Sequence, residues 1–126
     1  MKNTKQANIN TTLKKLFKHW LEITRPFHKL TSQQQDILAL FLYYHYKLKQ
    51  KITNEKILWD SVFDYDIRMK VKKELDMKDG VLNNNLTLFR KKKILNYNMI
   101  TPMYIPELEK DSDNFKVIFN FNIINE

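Results

Sequence analysis

A predicted helix over residues 81–92 carries the side chains with the most suggestive chemistry in this chain. At 100° per residue, one side of the helix is apolar, with Leu82, Leu86 and Phe89. The opposite side carries amides, a hydroxyl and cations, from Asn83, Asn84, Thr87, Arg90 and Lys91. Amide and guanidinium groups form paired hydrogen bonds with base edges, and lysines bind phosphates. This side of the helix therefore suits a nucleic acid, although any solvated helix face has a similar composition.

Other residues around this helix extend or limit the candidate site. Lys92 is a further candidate for DNA contact. Asn85 falls on the apolar side, so we expect a buried amide that bonds to backbone rather than a base reader. Secondary phosphate contacts are expected from three lysines near the N-terminus, which are Lys14, Lys15 and Lys18.

Length and composition bound the possible folds. The chain has 126 residues, of which 43% are hydrophobic and 13% aromatic, so one ordinary domain with a real core is expected. There is no cysteine, which excludes a disulfide framework, a thiolate metal site and a cysteine nucleophile. A single glycine excludes a glycine-rich phosphate loop.

The net charge of +8 is unevenly distributed. Residues 1–56 have a balance of +8 and residues 80–93 a balance of +4, whereas residues 57–79 and 94–126 have −1 and −3. Excess positive charge attracts polyanions and adds affinity for phosphates without regard to sequence. Positive charge also keeps small proteins soluble, so charge alone does not decide between contact with a nucleic acid and a role in solubility.

Nothing in the sequence predicts a membrane partner. No apolar run approaches the ~20 residues of a membrane span, and no apolar stretch follows the polar N-terminus as it would in a secretory signal. We therefore expect a cytoplasmic location or one inside a phage particle. Lysine outnumbers arginine 19 to 3 and there are 13 asparagines, which suggests the AT-rich genome of a phage or mobile element.

Apolar periodicity predicts four helices. The first begins near Thr12 and ends at Arg25-Pro26, because the residue before a proline avoids the helical region. The second follows a capping box of Thr31 and Gln34 and extends to about residue 50. Helices over 64–75 and 81–92 follow, separated by a turn over 76–80 in which Gly80 supplies conformational freedom.

Two other regions are less helical. Residues 52–63 stay unassigned, since they could begin a short helix or contain a short strand at Ile57-Leu58-Trp59. Residues 94–105, with Pro102 inside the range and Pro106 directly after it, predict extended edge structure, and residues 111–114 predict a turn. Apolar residues then alternate strictly over 115–124, which predicts a strand with one buried face, at Phe115, Val117, Phe119, Phe121 and Ile123.

The helix–turn–helix spacing of residues 64–92, followed at once by predicted strands, resembles the winged helix-turn-helix family. The resemblance covers roughly residues 31–124 and rests on Leu82, Leu86 and Phe89 followed by the run over 90–95. That run looks like the family's exit from its recognition helix, except that Lys93 stands where the family usually has glycine. The resemblance implies a mainly α fold with a small β-wing, preceded here by an extra amphipathic N-terminal helix.

The wing that the resemblance implies is acidic. Residues 106–113, between its predicted strands, hold four acids and one lysine. Carboxylates repel phosphates at close range, so this wing either points away from DNA or belongs to a domain that binds protein. Winged-helix folds serve both uses, so the fold alone does not decide.

The sequence contains no recognisable motif for a catalytic or metal site. The three histidines lack the i, i+4 spacing of a helical metal pair, and we expect ordinary surface or core residues at His19, His28 and His45. The acids at 60, 64 and 66 fit helix N-termini better than a calcium loop. We therefore expect no enzyme activity, no cofactor and no metal.

Two functional hypotheses remain. In both, residues 1–30 form a basic arm and amphipathic helix, and residues 31–126 form a winged-helix-like domain. The first is a non-enzymatic protein that binds double-stranded DNA, encoded by a phage or mobile element. The alternative is a structural or adaptor component of a phage particle, whose core contacts other protein subunits or a second copy of itself.

Overall fold

The chain folds into helices and one short β-hairpin, in agreement with the predicted class of a mainly α fold with a small sheet. The computed structural model describes residues 4–110 and 113–125. The helices are α1 (Leu13–Ile23), α2 (Arg25–His28), α3 (Ser32–Lys49), α4 (Glu55–Val62), α5 (Tyr65–Leu75) and α6 (Asp79–Lys91). The strands β1 (Leu95–Asn96) and β2 (Met99–Ile100) pair antiparallel, and a 3-10 turn follows at Pro102–Tyr104. Within the described ranges, no helix is both long and apolar enough to cross a bilayer.

The central helix of the fold is α3. Its buried residues surround much of the helix, so it packs against α1, α4 and α5 on different sides. The predicted capping box starts it: the Gln34 backbone N–H donates to Thr31 Oγ1 at 3.3 Å, and the Thr31 N–H donates to Gln34 Oε1 at 3.0 Å. Phe17 and Leu21 of α1 join α3 in one hydrophobic core.

The end of the first helix lies close to its predicted position. α1 ends at Ile23, and Arg25-Pro26 begins the short α2, because proline is tolerated in the first turn of a helix. The indole of Trp20 packs within its own domain, donating from Nε1 to the Tyr104 carbonyl at 2.9 Å. The apolar stripe of α1 is therefore part of the core.

The unassigned segment contains α4, which favours the helical option over a strand at residues 57–59. Asn54 caps it, accepting from the Ile57 N–H at 3.0 Å. Leu58, Trp59 and Val62 are buried, and Trp59 stacks toward Phe63. The apolar residues Leu58 and Trp59 belong to a buried side of this helix, because α4 packs against α3.

The turn before α6 is shorter than predicted and does not use Gly80. It spans residues 76–78, and the left-handed residue is Asp76, with φ 49°. The Met77 N–H donates to the Lys72 carbonyl at 3.0 Å, which closes the end of α5. Gly80 lies in the first turn of α6 without a positive φ. The expectation that Gly80 provides the turn's freedom is wrong, because an aspartate tolerates the left-handed region.

The predicted C-terminal strand does not form. Residues 113–125 have no regular secondary structure, and Phe119 is 44% exposed instead of lying on the buried face of a strand. An alternating pattern makes a segment suitable for a β-sheet, but a strand forms only when a neighbouring strand bonds to its backbone. The described part of the chain provides no such neighbour for this segment. The predicted turn at 111–114 falls partly on residues 111 and 112, which lie outside the described ranges.

Candidate nucleic-acid interface

The two sides of α6 are arranged as predicted. Leu82, Leu86 and Phe89 are buried in the hydrophobic core that also contains Ile37, Leu38 and Phe41. All six predicted DNA-contacting residues are exposed, and they are Asn83, Asn84, Thr87, Arg90, Lys91 and Lys92. The core thus fixes the rotation of the helix and presents this polar side to solvent.

Asn85 behaves as a structural amide. It is half-buried, and its Nδ2 donates to the Val81 carbonyl at 2.9 Å. Its Oδ1 accepts from Gln34 Nε2 at 3.3 Å, which links α6 to the start of α3. The predicted backbone bond is confirmed, and the residue is turned away from the exposed polar side.

The exit of α6 has the geometry that a glycine would favour. Lys93 adopts a left-handed conformation, with φ 64°. The Ile94 N–H donates to the Phe89 carbonyl at 2.9 Å and the Lys93 N–H to the Arg90 carbonyl at 3.1 Å, which together form a Schellman motif. Ile94 and Phe89 are both buried beneath it. The departure from the family's glycine therefore changes the residue and leaves the sharp turn in place.

Lys93→Gly should raise the free energy of unfolding by about 1 kcal/mol. A non-glycine residue in the left-handed region is disfavoured by about 1–2 kcal/mol, partly offset by the larger backbone entropy of glycine in the unfolded chain. Thermal or urea unfolding measures the change. Lys92→Gly is the matched control, because Lys92 has φ −82° and should lose stability on the same substitution. Equal effects of the two substitutions would contradict the assigned turn.

Arg90 ties the helix to the hairpin. Its Nε donates to the Tyr97 carbonyl and its Nη2 to Asn98 Oδ1, each at 3.4 Å. Tyr97 and Asn98 form the tip of the hairpin, where Tyr97 is 86% exposed and has φ 57°. The guanidinium is thus held beside the tip, so a cation, an amide and an aromatic ring project next to α6.

Lys92 adds a second connection, which brings Lys29 to the same region. Its Nζ donates to the carbonyls of His28 and Lys29 at 3.1 and 3.3 Å. Lys29 itself is exposed. The sequence analysis did not select Lys29, because no pattern along the chain relates the loop before α3 to the end of α6.

His28 stabilises that loop as a neutral imidazole. Its Nδ1 accepts from the Leu30 N–H at 3.0 Å, so its Nε2–H donates to the Leu21 carbonyl at 2.7 Å. Burial lowers the pKa of His28, and nearby Lys92 and Arg25 lower it further. The histidine is a core residue, in line with the expectation for it.

The acidic segment does not form the tip of the hairpin, although Glu107 and Glu109 line a cleft together with Met99 and Ile100 of β2. The sheet closes over residues 95–100, so residues 106–113 do not connect its two strands and the expected acidic wing is wrong. Tyr46 donates from its hydroxyl to the Glu109 carbonyl at 3.4 Å, and Glu107 and Glu109 line a cleft of about 720 Å³ with His45 and Trp59. From Gly80 to Pro106 the chain contains no Asp or Glu.

The lysines of α1 are less available than expected. Lys14 pairs with Glu74, and this hydrogen bond raises the pKa of Lys14. Lys18 Nζ lies 3.7 Å from Asp36 Oδ1, whereas Lys15 is exposed. Two of the three predicted phosphate contacts are therefore partly neutralised by carboxylates.

His45 belongs to an aromatic stack in the core. Its ring lies 4.2 Å from that of Trp59 with an angle of 11°, and Trp59 Nε1 donates to Glu55 Oε2 at 3.1 Å. Burial is the main cause that lowers the pKa of His45 to about 4. Among the described residues, no three histidine, aspartate or glutamate side chains come together as a metal site would require.

No protein-family model, no curated protein and no solved structure matches the chain.

Proposed function

We propose that this protein is a non-enzymatic, winged-helix type protein that binds double-stranded DNA and is encoded by a phage or mobile element. α6 enters the major groove, and the hairpin tip contacts the adjacent backbone. Asn83, Asn84 and Thr87 face the bases, while Lys91 and Lys93 bind phosphates. Arg90 and Lys92 hold the hairpin and the loop at Lys29 beside the helix.

One observation carries this proposal. From Gly80 to Pro106, which covers the hairpin and all of α6 after its first residue, the chain has four cations and no carboxylate, and Asp79 at the N-terminus of α6 is paired with Lys72. The buried side chains of α6 fix the helix, so the exposed amides and cations lie on one side. Phosphates lose hydration on contact, and an acid-free surface avoids the repulsion that would oppose them.

The order of elements supports the winged-helix type. α5, a three-residue turn and α6 follow one another as in a helix-turn-helix, and the hairpin comes directly after. The Schellman turn at Lys93 sends the chain into β1 with the hairpin tip beside Arg90. This part of the proposal is an analogy of fold, so the binding itself needs its own test.

Fluorescence anisotropy with a labelled duplex at several salt concentrations tests the proposal. The Lys91→Ala/Lys93→Ala variant should weaken binding and reduce the log–log salt slope by about two units, one for each lost phosphate contact. The Asn83→Ala/Asn84→Ala variant should lose about 1–3 kcal/mol only on a duplex selected from a random pool.

The matched control removes the same charge from the C-terminal end of α3. Lys47 is 13 residues beyond Gln34 along α3, about 20 Å from the contact that Gln34 makes with α6. Lys47→Ala/Lys51→Ala should therefore leave the salt slope nearly unchanged. Equal losses in both double variants would mean that only net charge matters, and the α6 proposal would fail.

A second candidate function is the protein-binding one, as a structural or adaptor component of a phage particle. The observation that favours it is the apolar C-terminal segment, where Phe121 is 88% and Ile123 97% exposed. Clustered large apolar side chains that are exposed to solvent mark protein contacts. Weak, sequence-blind DNA binding that ignores α6 would favour this candidate.

A further inference from the structure

The segment of residues 115–125 has the composition of a strand without a strand beside it. Within the described ranges, none of its backbone amides donates to another backbone group. Its odd-numbered positions are apolar as far as residue 123, and they are Phe115, Val117, Phe119, Phe121 and Ile123. A sequence of this type, with unpaired backbone groups, is a template for pairing with another chain.

Only the first half of this segment contacts the body of the protein. The ring of Phe115 meets Trp20 edge-on, with centroids 5.9 Å apart. Val117 and Phe119 border a cavity of about 230 Å³ whose other walls include Phe27 and Met103. Phe27 and Met103 remain more than half exposed, so apolar surface is left uncovered there. Beyond residue 119 the apolar side of the segment has no cover.

We propose that a second copy of this chain supplies the missing strand. Residues 117–123 of two copies pair antiparallel about a two-fold axis at Asn120, with Phe119 opposite Phe121 and Val117 opposite Ile123. Directly opposite residues in an antiparallel pair lie on the same face, so this register gathers the odd-numbered apolar residues of both copies on one side, while Ile118 and Ile124 lie on the other. A two-fold pair is closed and stops at two chains.

The register also accounts for the uncovered apolar surface. Val117, Ile118 and Phe119 of each copy border the same cavity as that copy's Phe27 and Met103. The opposing strand places its own Ile123 and Phe121 beside them, and therefore over the same exposed side chains. Each copy thus covers what the other leaves exposed, which is the self-complementarity that an isologous interface needs.

Charge permits this pairing between identical chains. Residues 117–125 contain no charged side chain, and Lys116 would lie opposite Ile124 rather than opposite its own copy. Like charges directly opposite destabilise strand pairs, and this register contains none. The pairing requires no nucleic acid, so it stands or falls separately from the proposed DNA binding.

Sedimentation equilibrium of the full chain from about 1 to 100 µM tests the proposal, and we expect a dimer with a dissociation constant in this range. Phe121→Lys/Ile123→Lys should raise the dissociation constant by at least about 100-fold, because it places charge on the apolar side. The control is Asn122→Lys, which adds a charge on the other face, opposite Ile118 of the second copy rather than opposite itself, and should change the constant about threefold at most. These positions lie outside the core, so circular dichroism should report an intact fold in both variants.

A crosslinking experiment tests the register independently. The chain has no cysteine, so a single Asn120→Cys substitution introduces the only thiol, and the two-fold axis places it opposite itself. Mild oxidation should give a covalent dimer, whereas Asn98→Cys at the hairpin tip should give no covalent dimer. A monomer at 100 µM, a dimer that survives Phe121→Lys/Ile123→Lys, equal crosslinking at both sites, or masses that grow past two chains would each overturn the proposal.

Discussion

Phe89→Ala lowers the free energy of unfolding by about 3–5 kcal/mol. The ring is fully buried, and it fills the core between α6 and the residues of α3. Removing it loses the transfer free energy of a large apolar side chain and leaves a cavity that the packed helices fill only in part. The ring lies in the same buried core as Ile94, which follows the Schellman turn, so the region that begins the hairpin should loosen as well.

Urea unfolding followed by circular dichroism measures this loss. Leu88→Ala is the matched control, since Leu88 is the neighbouring residue on α6 but only half-buried. We expect the control to lose about 1 kcal/mol, as for partly exposed positions. If the two substitutions had similar effects, the helix would be rotated from the register described for α6, and its polar side would not be the exposed one.

Acidification from pH 7 to pH 4 should remove about 3 kcal/mol of stability through His45 alone. The folded protein lowers the pKa of His45 from 6.5 to about 4, because the ring is 7% exposed and stacked on Trp59. The unfolded chain therefore binds a proton below about pH 6.5 while the folded one stays neutral. The contribution of His45 to the free energy of unfolding is therefore fully present above about pH 6.5. It is lost progressively as the pH falls to about 4, the pKa of His45 in the folded protein.

Two variants isolate the contribution of His45. His45→Phe keeps a flat ring on Trp59 without a titrating group. Between pH 7 and pH 4 its free energy of unfolding should therefore fall by about 3 kcal/mol less than that of the wild type. Lys49→Gln removes a cation that disfavours the protonated imidazole, so the acid loss should shrink without vanishing. Thermal unfolding at several pH values gives both curves. Parallel curves for wild type and His45→Phe would contradict the assignment.

Local patterns predicted the helices and the polar side of α6. The capping box at Thr31, the exit of α1 near Pro26 and the apolar side of α6 depend on residues within a few turns of one another. Such local patterns predict helices correctly because the hydrogen bonds and side-chain periodicity within a helix are set by neighbours in sequence. The candidate site could be predicted as far as it lies on that single helix.

What the sequence left open depends on contacts between distant residues. The strand at 115–124 needed a partner that periodicity cannot supply, and the hairpin formed at 95–100 instead of enclosing the acidic stretch. Lys29 joins the interface only through the reach of Lys92, and Lys18 meets a carboxylate on another helix. These facts follow from how α1, α3 and α6 are placed, which no local pattern encodes.

The described part of the chain makes its left-handed turns without glycine, at Lys29, Asp76, Lys93 and Tyr97. Each of these residues has a higher conformational energy than glycine in the left-handed region, so the native state holds some backbone strain. The same scarcity of glycine narrows the conformations open to the denatured chain, which reduces the entropy that folding must overcome. A glycine-poor composition thus acts on both sides of the folding equilibrium, with opposite signs.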